Sequence, residues 1–215
     1  MAAVARDNIE IDDVKTKYAI GGTGINIGFK LADRLEVNSS HLFAYYPSFK
    51  TEYRNTPLSG PISGDTRLVS INFRMTEHKK FSFYIMGKQT NGNFSATDLQ
   101  GYRNTTKLKA SSSSRVEHRD IIFLIGYRVL SDQTIEFGLG QRDWSIKAEG
   151  LTFIDGEPEP LRKRVESSNK DPIFSIAYSK NTGNLLWKFG YNVSKLTNDK
   201  TTYVDEFSVV FGRNF

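Results

Sequence analysis

The stretch Phe207-Ser208-Val209-Val210-Phe211-Gly212-Arg213-Asn214-Phe215 has two different faces when every second residue is read. One face carries Phe207, Val209, Phe211, Arg213 and Phe215, and the other is small and mostly polar. Side chains alternate between the faces of a strand, so this period of two predicts a β-strand with one aromatic side. Chain ends usually fray into water, so a strand that stops on an aromatic residue is expected to be paired and covered.

Composition excludes several classes of protein. The 215 residues contain no apolar run of about 18–20 residues, which excludes helical membrane spans. The chain has no cysteine, which rules out disulfides and thiolate ligands. Residues 1–7 lack the basic start and apolar core of a signal peptide. We interpret the sequence as a mature chain with an added start methionine, in which residues 1–7 form a flexible end.

The same alternation recurs along the chain, and no segment shows a sustained helical period. The alternating segments lie near residues 25–31, 34–46, 68–75, 81–88, 121–129, 135–140, 174–179, 185–193 and 207–215. Tight turns are predicted near residues 32, 77, 132 and 182, and long loops at 47–65, 89–119 and 147–171, with a polar loop around 194–202. In a meander, this alternation places all tight turns at one end of the sheet and all long loops at the other.

The non-aromatic faces of these strands are rich in glycine and serine. They include Gly126, Gly138, Gly140, Gly190, Gly212, Ser175 and Ser208. Glycine weakens a solvated strand because it packs nothing, whereas inside a narrow barrel it leaves room for larger polar neighbours. The aromatic faces would then point at lipid, with interfacial girdles formed by Tyr46, Trp144, Tyr178, Trp187 and Tyr191.

The aromatic final strand, Gly126-Tyr127-Arg128 before a tight turn, and the rhythm of short turns and long loops resemble the small outer-membrane barrels of Gram-negative bacteria. These include the opacity and OmpA/OmpX-like proteins. The resemblance implies an all-β, antiparallel up-and-down transmembrane β-barrel over residues 1–215, with short periplasmic turns and long external loops. Four tight turns join eight strands; the last strand and an irregular first strand around residues 3–20 make ten, with eight as the alternative. A soluble lipocalin- or avidin-like barrel would instead hold its aromatic residues inside.

The resemblance also implies a location and partners. The chain would lie in the bacterial outer membrane, in contact with its lipid and lipopolysaccharide. The barrel-assembly machinery would read the final strand through Phe207, Val209, Phe211 and Phe215.

Strand parity places five charged residues in the lumen, namely Arg74, Lys88, Arg128, Glu136 and Lys188. Arg128 and Glu136 are nearly opposite each other across one hairpin, and one interpretation is that they pair and close the lumen like a plug. Another interpretation is that these charges only fill the lumen. The alternative is a small passive porin with a narrow lumen that weakly prefers anions.

The predicted loop 89–119 is basic, with Arg103, Lys107, Lys109 and Arg115 as its candidate binding residues. Such a loop would bind lipopolysaccharide phosphates, an acidic glycan or another surface ligand. The basic residues do not form a dense patch on a recognisable module, so nucleic acid is not expected.

No catalytic or metal site is predicted, and no cofactor. A Ser-His hydrolase resembling the lipid A deacylases would need a carboxylate beside its histidine. Its one candidate cluster is Ser39-Ser40-His41, in which Ser39 shares a face with His41 but Ser40 does not. The sequence thus predicts a barrel without enzymatic activity, acting through its external loops as a surface interaction protein.

Overall fold

Ten β-strands run through the part of the chain that the structure describes. This structure is a computed structural model, and it describes the backbone of residues 2–11, 14–53, 55–198 and 200–213, and the side chains of residues 22–47, 49–50, 52, 55–194 and 206–212. The strands are β1 (Ala2–Ile11), β2 (Val14–Ala32), β3 (Leu35–Tyr53), β4 (Thr56–His78), β5 (Phe81–Arg103), β6 (Thr106–Leu130), β7 (Gln133–Ile154), β8 (Leu161–Thr182), β9 (Leu185–Asn198) and β10 (Lys200–Arg213).

The strands form a closed antiparallel barrel in which each one pairs with its neighbours in sequence. β1 closes the sheet because it pairs with β2 on one side and with β10 on the other. The predicted count of ten is therefore confirmed and the alternative of eight is wrong. Residues 2–7, which the sequence assigned to a flexible end, are paired in β1. Residue 1 lies outside the described part.

A band of apolar side chains covers the outside of the barrel next to the four tight turns, on the strands whose side chains are described there. In β6 it runs from Ile121 to Val129, where Ile121, Phe123, Ile125 and Val129 are exposed and Tyr127 is half-buried. Eight residue steps span about 27 Å along a strand, or about 21 Å along the axis at a tilt of about 40°. That height approaches the apolar band of about 25 Å found on outer-membrane barrels. No helix among the described residues is long and apolar enough to span a membrane.

The aromatic residues of this band thus face outward, opposite to what a soluble lipocalin-like barrel requires. Trp187 and Phe211 pack edge to face on this outside wall, with ring centroids 4.5 Å apart. Phe207 is also exposed and Val209 is half-buried, so the described part of the final strand belongs to the band. Phe215 lies outside the described residues. Recognition of this strand by the assembly machinery stays a prediction.

The predicted long loops are mostly strands, and this part of the interpretation is wrong. Only residues 104–105 separate β5 from β6, and β3 ends three positions before β4 begins. Of the three predicted long loops, the described residues keep a loop only at 155–160. The polar loop predicted around 194–202 is also strand at residues 194–198 and 200–202. The strands instead continue past the apolar band, and we call the parts at residues 41–67, 91–117 and 145–168 the far half. The predicted tight turns are confirmed at residues 33–34, 79–80, 131–132 and 183–184.

The far half forms strands because its sequence still alternates, although with small and polar residues. Its inward positions carry apolar side chains that pack into one buried cluster. The cluster comprises Phe49, Leu58, Ile62, Ala96, Leu99, Leu108 and Ala110, with Phe94 packed against it. Serine, threonine, glycine and asparagine on the other face match the composition of a loop, so composition hid the alternation.

Glycines of the inner wall make room for close packing, as predicted, and the nearest neighbours of Gly138 are apolar. A Cβ at Gly138 would stand 2.6 Å from Leu124 Cδ2 and 2.8 Å from Ile122 Cγ2. A Cβ at Gly140 would stand 2.0 Å from the backbone oxygen of Ile121. At the level of Gly138 the lumen is therefore filled by aliphatic side chains and not by the polar residues expected from the sequence.

Candidate functional site

A network of buried charges lies in the lumen, and Arg142 on β7 is its centre. The Arg142 guanidinium is inaccessible to solvent and donates two hydrogen bonds of 2.9 Å to the carboxylate of Asp120 on β6. Its Nη2 also lies 3.0 Å from Glu206 Oε1 on β10. Two carboxylates from two different strands therefore share one buried arginine, whose planar group suits such paired contacts.

Lys88 on β5 completes the charge balance of this network. Its Nζ donates to Glu206 Oε2 at 2.9 Å and lies 3.9 Å from Asp120 Oδ2. Two cations thus face two carboxylates. His118 Nδ1 lies 3.6 Å from Glu206 Oε1. We call these five residues the ion cluster. Buried charges need such pairing, because removal from water costs each ion several kcal/mol.

Aromatic and aliphatic side chains pack on both sides of the ion cluster. Trp144 on β7 is 3% exposed, packs with Ile146 and Val116, and donates from Nε1 to Asp171 Oδ2 at 2.6 Å. The prediction that Trp144 forms part of an interfacial girdle is therefore wrong, since its parity directs it inward. Toward the tight turns, Ile122, Leu124 and Ile173 form an apolar layer with Tyr84 and Met86.

The five charged residues predicted to line the lumen all fall at inward positions, but their partners differ from the predicted ones. Lys88 belongs to the ion cluster, and Lys188 donates to Glu136 at 2.8 Å. Arg74 donates to Glu77 at 2.8 Å and to the backbone oxygen of Asp33 at 2.7 Å, close to the tight turns.

The predicted pair between Arg128 and Glu136 is wrong. Arg128 pairs with Glu77, and Glu136 pairs with Lys188. The register explains the difference, because Glu136 lies opposite Gly126 and Arg128 lies opposite Thr134, next to a register shift. The charges at this mouth therefore link strands that are not neighbours, instead of closing one hairpin.

The four basic residues assigned to an external loop are separated along the β5–β6 hairpin. Arg103 lines a cavity of about 420 Å³ at the far end of the barrel, together with Thr56 and Leu108. Lys107 and Lys109 lie near the start of β6, and Arg115 lies six residues beyond Lys109. They form no single basic patch, and their binding of a ligand stays a prediction.

The outside wall of the far half contains a larger concavity of about 920 Å³, which we call the wall groove. It crosses six strands, from His41 on β3 to Arg164 on β8. Most of its lining residues occupy outward strand positions, so the groove lies on the barrel wall and not in the lumen. It begins directly above the apolar band, because His41 pairs in register with Ile25 of the band.

The candidate hydrolase cluster divides between the two sides of the wall, as predicted. Ser40 points inward and donates to Asn26 Oδ1 at 2.9 Å. His41 points outward, with Nε2 3.5 Å from Asp65 Oδ2 and its ring 4.4 Å from that of Phe43. These contacts of the imidazole do not engage Ser39. Within the described residues, no group of three or more histidine or acidic side chains is arranged to hold a metal ion.

Most of the ion cluster was missed in the sequence. Strand parity directs three of its members inward, namely Asp120, Arg142 and Glu206. That parity was the available signal. It was obscured because residues 89–119 matched the composition of a loop. In addition, Glu206 on β10 reaches Arg142 only when the barrel forms, although Asp120 and Arg142 are already paired in the β6–β7 hairpin.

No protein family of known sequence pattern matches the chain, and neither does any curated protein sequence. Among the solved structures that share its fold are the following two. The translocator domain of the autotransporter NalP from Neisseria meningitidis gives a TM-score of 0.64 at 8% identity, over 100% of this chain and 87% of that chain. The outer membrane protease OmpT from Escherichia coli gives a TM-score of 0.58 at 10% identity, over 98% of this chain and 90% of that chain.

At such identities the likeness concerns the fold alone, which is that of the bacterial outer-membrane β-barrels. The exposed apolar band agrees with it and indicates an outer-membrane location. Membership of the narrower group of opacity and OmpA/OmpX-like proteins stays a prediction.

Proposed function

We propose that this chain is a closed outer-membrane barrel without enzymatic activity, which acts at the cell surface as an interaction protein. The observation that carries this proposal is the burial of side chains that point into the lumen. Arg142 and Ile122 are 0% exposed and Asp120 is 2% exposed, although all three face the inside of the barrel.

Burial of this kind argues against a pore at that level. A water-filled channel would leave its lining side chains accessible from one end or the other. Here charged and aliphatic layers follow one another along the axis, from the ion cluster to the layer around Ile122 and Leu124. The porin alternative also loses its anion preference, because the ion cluster contains as many carboxylates as cations.

The far half supplies the surface for interaction in this proposal. It extends beyond the apolar band, and it carries exposed charged residues on its outside wall. We place the far half outside the cell, because outer-membrane barrels extend farther from the membrane on the external side than in the periplasm, and β3 to β8 extend beyond the apolar band at this end. The proposed partners are outer-membrane lipid, lipopolysaccharide and acidic surface ligands.

Single-channel recording in a planar bilayer tests the closed lumen. The reconstituted barrel is expected to give no conductance steps, because the inward side chains of Arg142 and Ile122 are fully buried. Slower gel migration of the same preparation after boiling would show that the unboiled protein was a folded barrel. The absence of conductance steps would then not be due to unfolded protein. Steps that change in Lys88→Ala but not in the exposed control Arg67→Ala would overturn the proposal in favour of a pore.

A further inference from the structure

We infer that the wall groove binds the phosphorylated sugar headgroup of lipopolysaccharide, while the acyl chains of the same molecule lie on the apolar band. The inference deepens the proposed function and rests on its placement of the far half outside the membrane. It differs from the sequence-based prediction of a basic loop, because the groove lies on the barrel wall and the predicted loop does not exist.

The position of the groove suits a lipid more than a soluble ligand. Its lower edge is formed by His41 and Arg67, which are paired across β3 and β4. The next outward residue along β4 toward the tight turns is Val69, an exposed residue of the apolar band. Apolar and polar binding surfaces are therefore continuous on one wall, as an amphiphile with a large headgroup requires.

The charge of the groove favours an anion. Among its lining residues, the cations Arg67, Arg115, Lys147 and Arg164 outnumber the carboxylates of Asp65 and Glu149. Basic pockets beside a membrane attract anionic headgroups. Arginine adds a planar pair of donors that matches the geometry of a phosphate.

These cations are available although they have partners in the wall. Arg115 lies 2.7 Å from Glu117, and Lys147 lies 2.7 Å from Glu166. The Arg115 and Lys147 side chains are 63% and 52% exposed, and exposed pairs contribute only about 0–1 kcal/mol. A phosphate group can therefore recruit both cations at little cost to the barrel.

The floor of the groove suits sugar. Ser63, Ser95 and Ser113 lie opposite one another across β4, β5 and β6, and Asn93 adjoins them. These side chains are small, which helps to create the concavity, and each can donate and accept hydrogen bonds with hydroxyl groups. A volume of about 920 Å³ also falls within the usual range for ligand sites, about 300–1,000 Å³.

The test compares two double variants of the full barrel in detergent micelles. Arg115→Ala/Lys147→Ala removes two cations from the groove. Arg103→Ala/Lys109→Ala removes two cations near the hairpin tip, outside the groove. Heat-dependent gel mobility confirms that both variants fold. Binding of fluorescently labelled lipopolysaccharide is titrated, in parallel with its deacylated phosphorylated oligosaccharide and with dephosphorylated lipopolysaccharide.

We expect the groove variant to bind lipopolysaccharide at least about tenfold more weakly, which corresponds to about 1.4 kcal/mol, and the tip variant to bind it as the wild type does. The deacylated and the dephosphorylated probes should each bind the wild type at least about tenfold more weakly than the intact lipid. Equal affinity in both double variants, or a greater loss in the tip variant, would overturn the inference. So would equally tight binding of the deacylated oligosaccharide, which would indicate a soluble glycan ligand.

The titration can contradict the groove assignment without contradicting the proposed function, and the reverse is also true. Conductance steps would overturn the closed barrel without changing binding at the wall. Loss of the groove assignment would leave a closed barrel with another interaction surface.

Discussion

Replacement of Arg142 by alanine is expected to destabilise the folded barrel by about 3–5 kcal/mol, the usual cost of breaking a buried ion pair. Arg142 is fully buried and compensates both Asp120 and Glu206. Without it, two carboxylates remain inside the barrel with one lysine between them. The free energy of unfolding is to be measured by urea titration of the barrel in lipid vesicles, followed by tryptophan fluorescence.

The matched control is Arg67→Ala. Arg67 is 72% exposed and lies 3.8 Å from Asp65, so its removal should change stability by less than about 1 kcal/mol. The double variant Arg142→Met/Asp120→Leu should recover much of the loss, because it removes one charge of each sign and leaves Lys88 paired with Glu206 at 2.9 Å. Similar small losses in Arg142→Ala and Arg67→Ala would contradict the ion cluster.

Removal of the Trp144 side chain is the second change with a large expected effect. Trp144→Ala should cost about 3–5 kcal/mol, because it empties a buried aromatic site. It also removes the hydrogen bond of 2.6 Å that Nε1 donates to Asp171. Trp144→Phe keeps most of the ring volume and should lose about 1–3 kcal/mol, mainly from that hydrogen bond. Unfolding titrations in lipid vesicles measure both.

Trp187 provides the comparison, since it is the only other tryptophan of the chain. It is 41% exposed on the outside wall and contacts Phe211 edge to face. Trp187→Ala should cost only about 1 kcal/mol, the value of an aromatic contact. A larger loss in Trp187→Ala than in Trp144→Ala would mean that the two tryptophans had been assigned to the wrong sides of the wall.

The strands next to the tight turns could be predicted because their two faces differ strongly. In residues 121–129, every second residue is isoleucine, phenylalanine, tyrosine or valine, and a period of two indicates a strand. The tight turns could be predicted as well, because they are the short stretches between these alternating segments. Closure by the first strand, and hence a count of ten, followed from the even number that bacterial barrels require.

The far half could not be predicted because neither of its faces is distinctive. Ser111 to Ser114 lie within β6, where their composition suggests a loop. Their strand pairing depends on the partner strands β5 and β7, which local sequence does not specify. Inward residues such as Leu108 and Ala110 carried the remaining signal, but two apolar positions do not establish a period.

The ion cluster and the mouth pairs depend on contacts between strands that are distant in sequence. Lys88 and Glu206 are 118 residues apart, and Lys188 reaches Glu136 from the opposite side of β8. Parity placed Lys88, Glu136 and Lys188 inside the barrel, and the structure agrees. Parity does not give the position of each residue along the barrel axis. Two inward charges can form an ion pair only when they lie at the same level on that axis.

The most direct test of the account asks which tryptophan touches lipid. Trp144→Phe and Trp187→Phe each leave one tryptophan, and both variants are reconstituted in vesicles with and without bromine on the acyl chains. Trp187 should be strongly quenched by bromine, because it lies in the apolar band, whereas Trp144 should be nearly unaffected inside the filled lumen. Strong quenching of Trp144 with little effect on Trp187 would contradict a membrane barrel whose aromatic face points at lipid and whose polar face is buried.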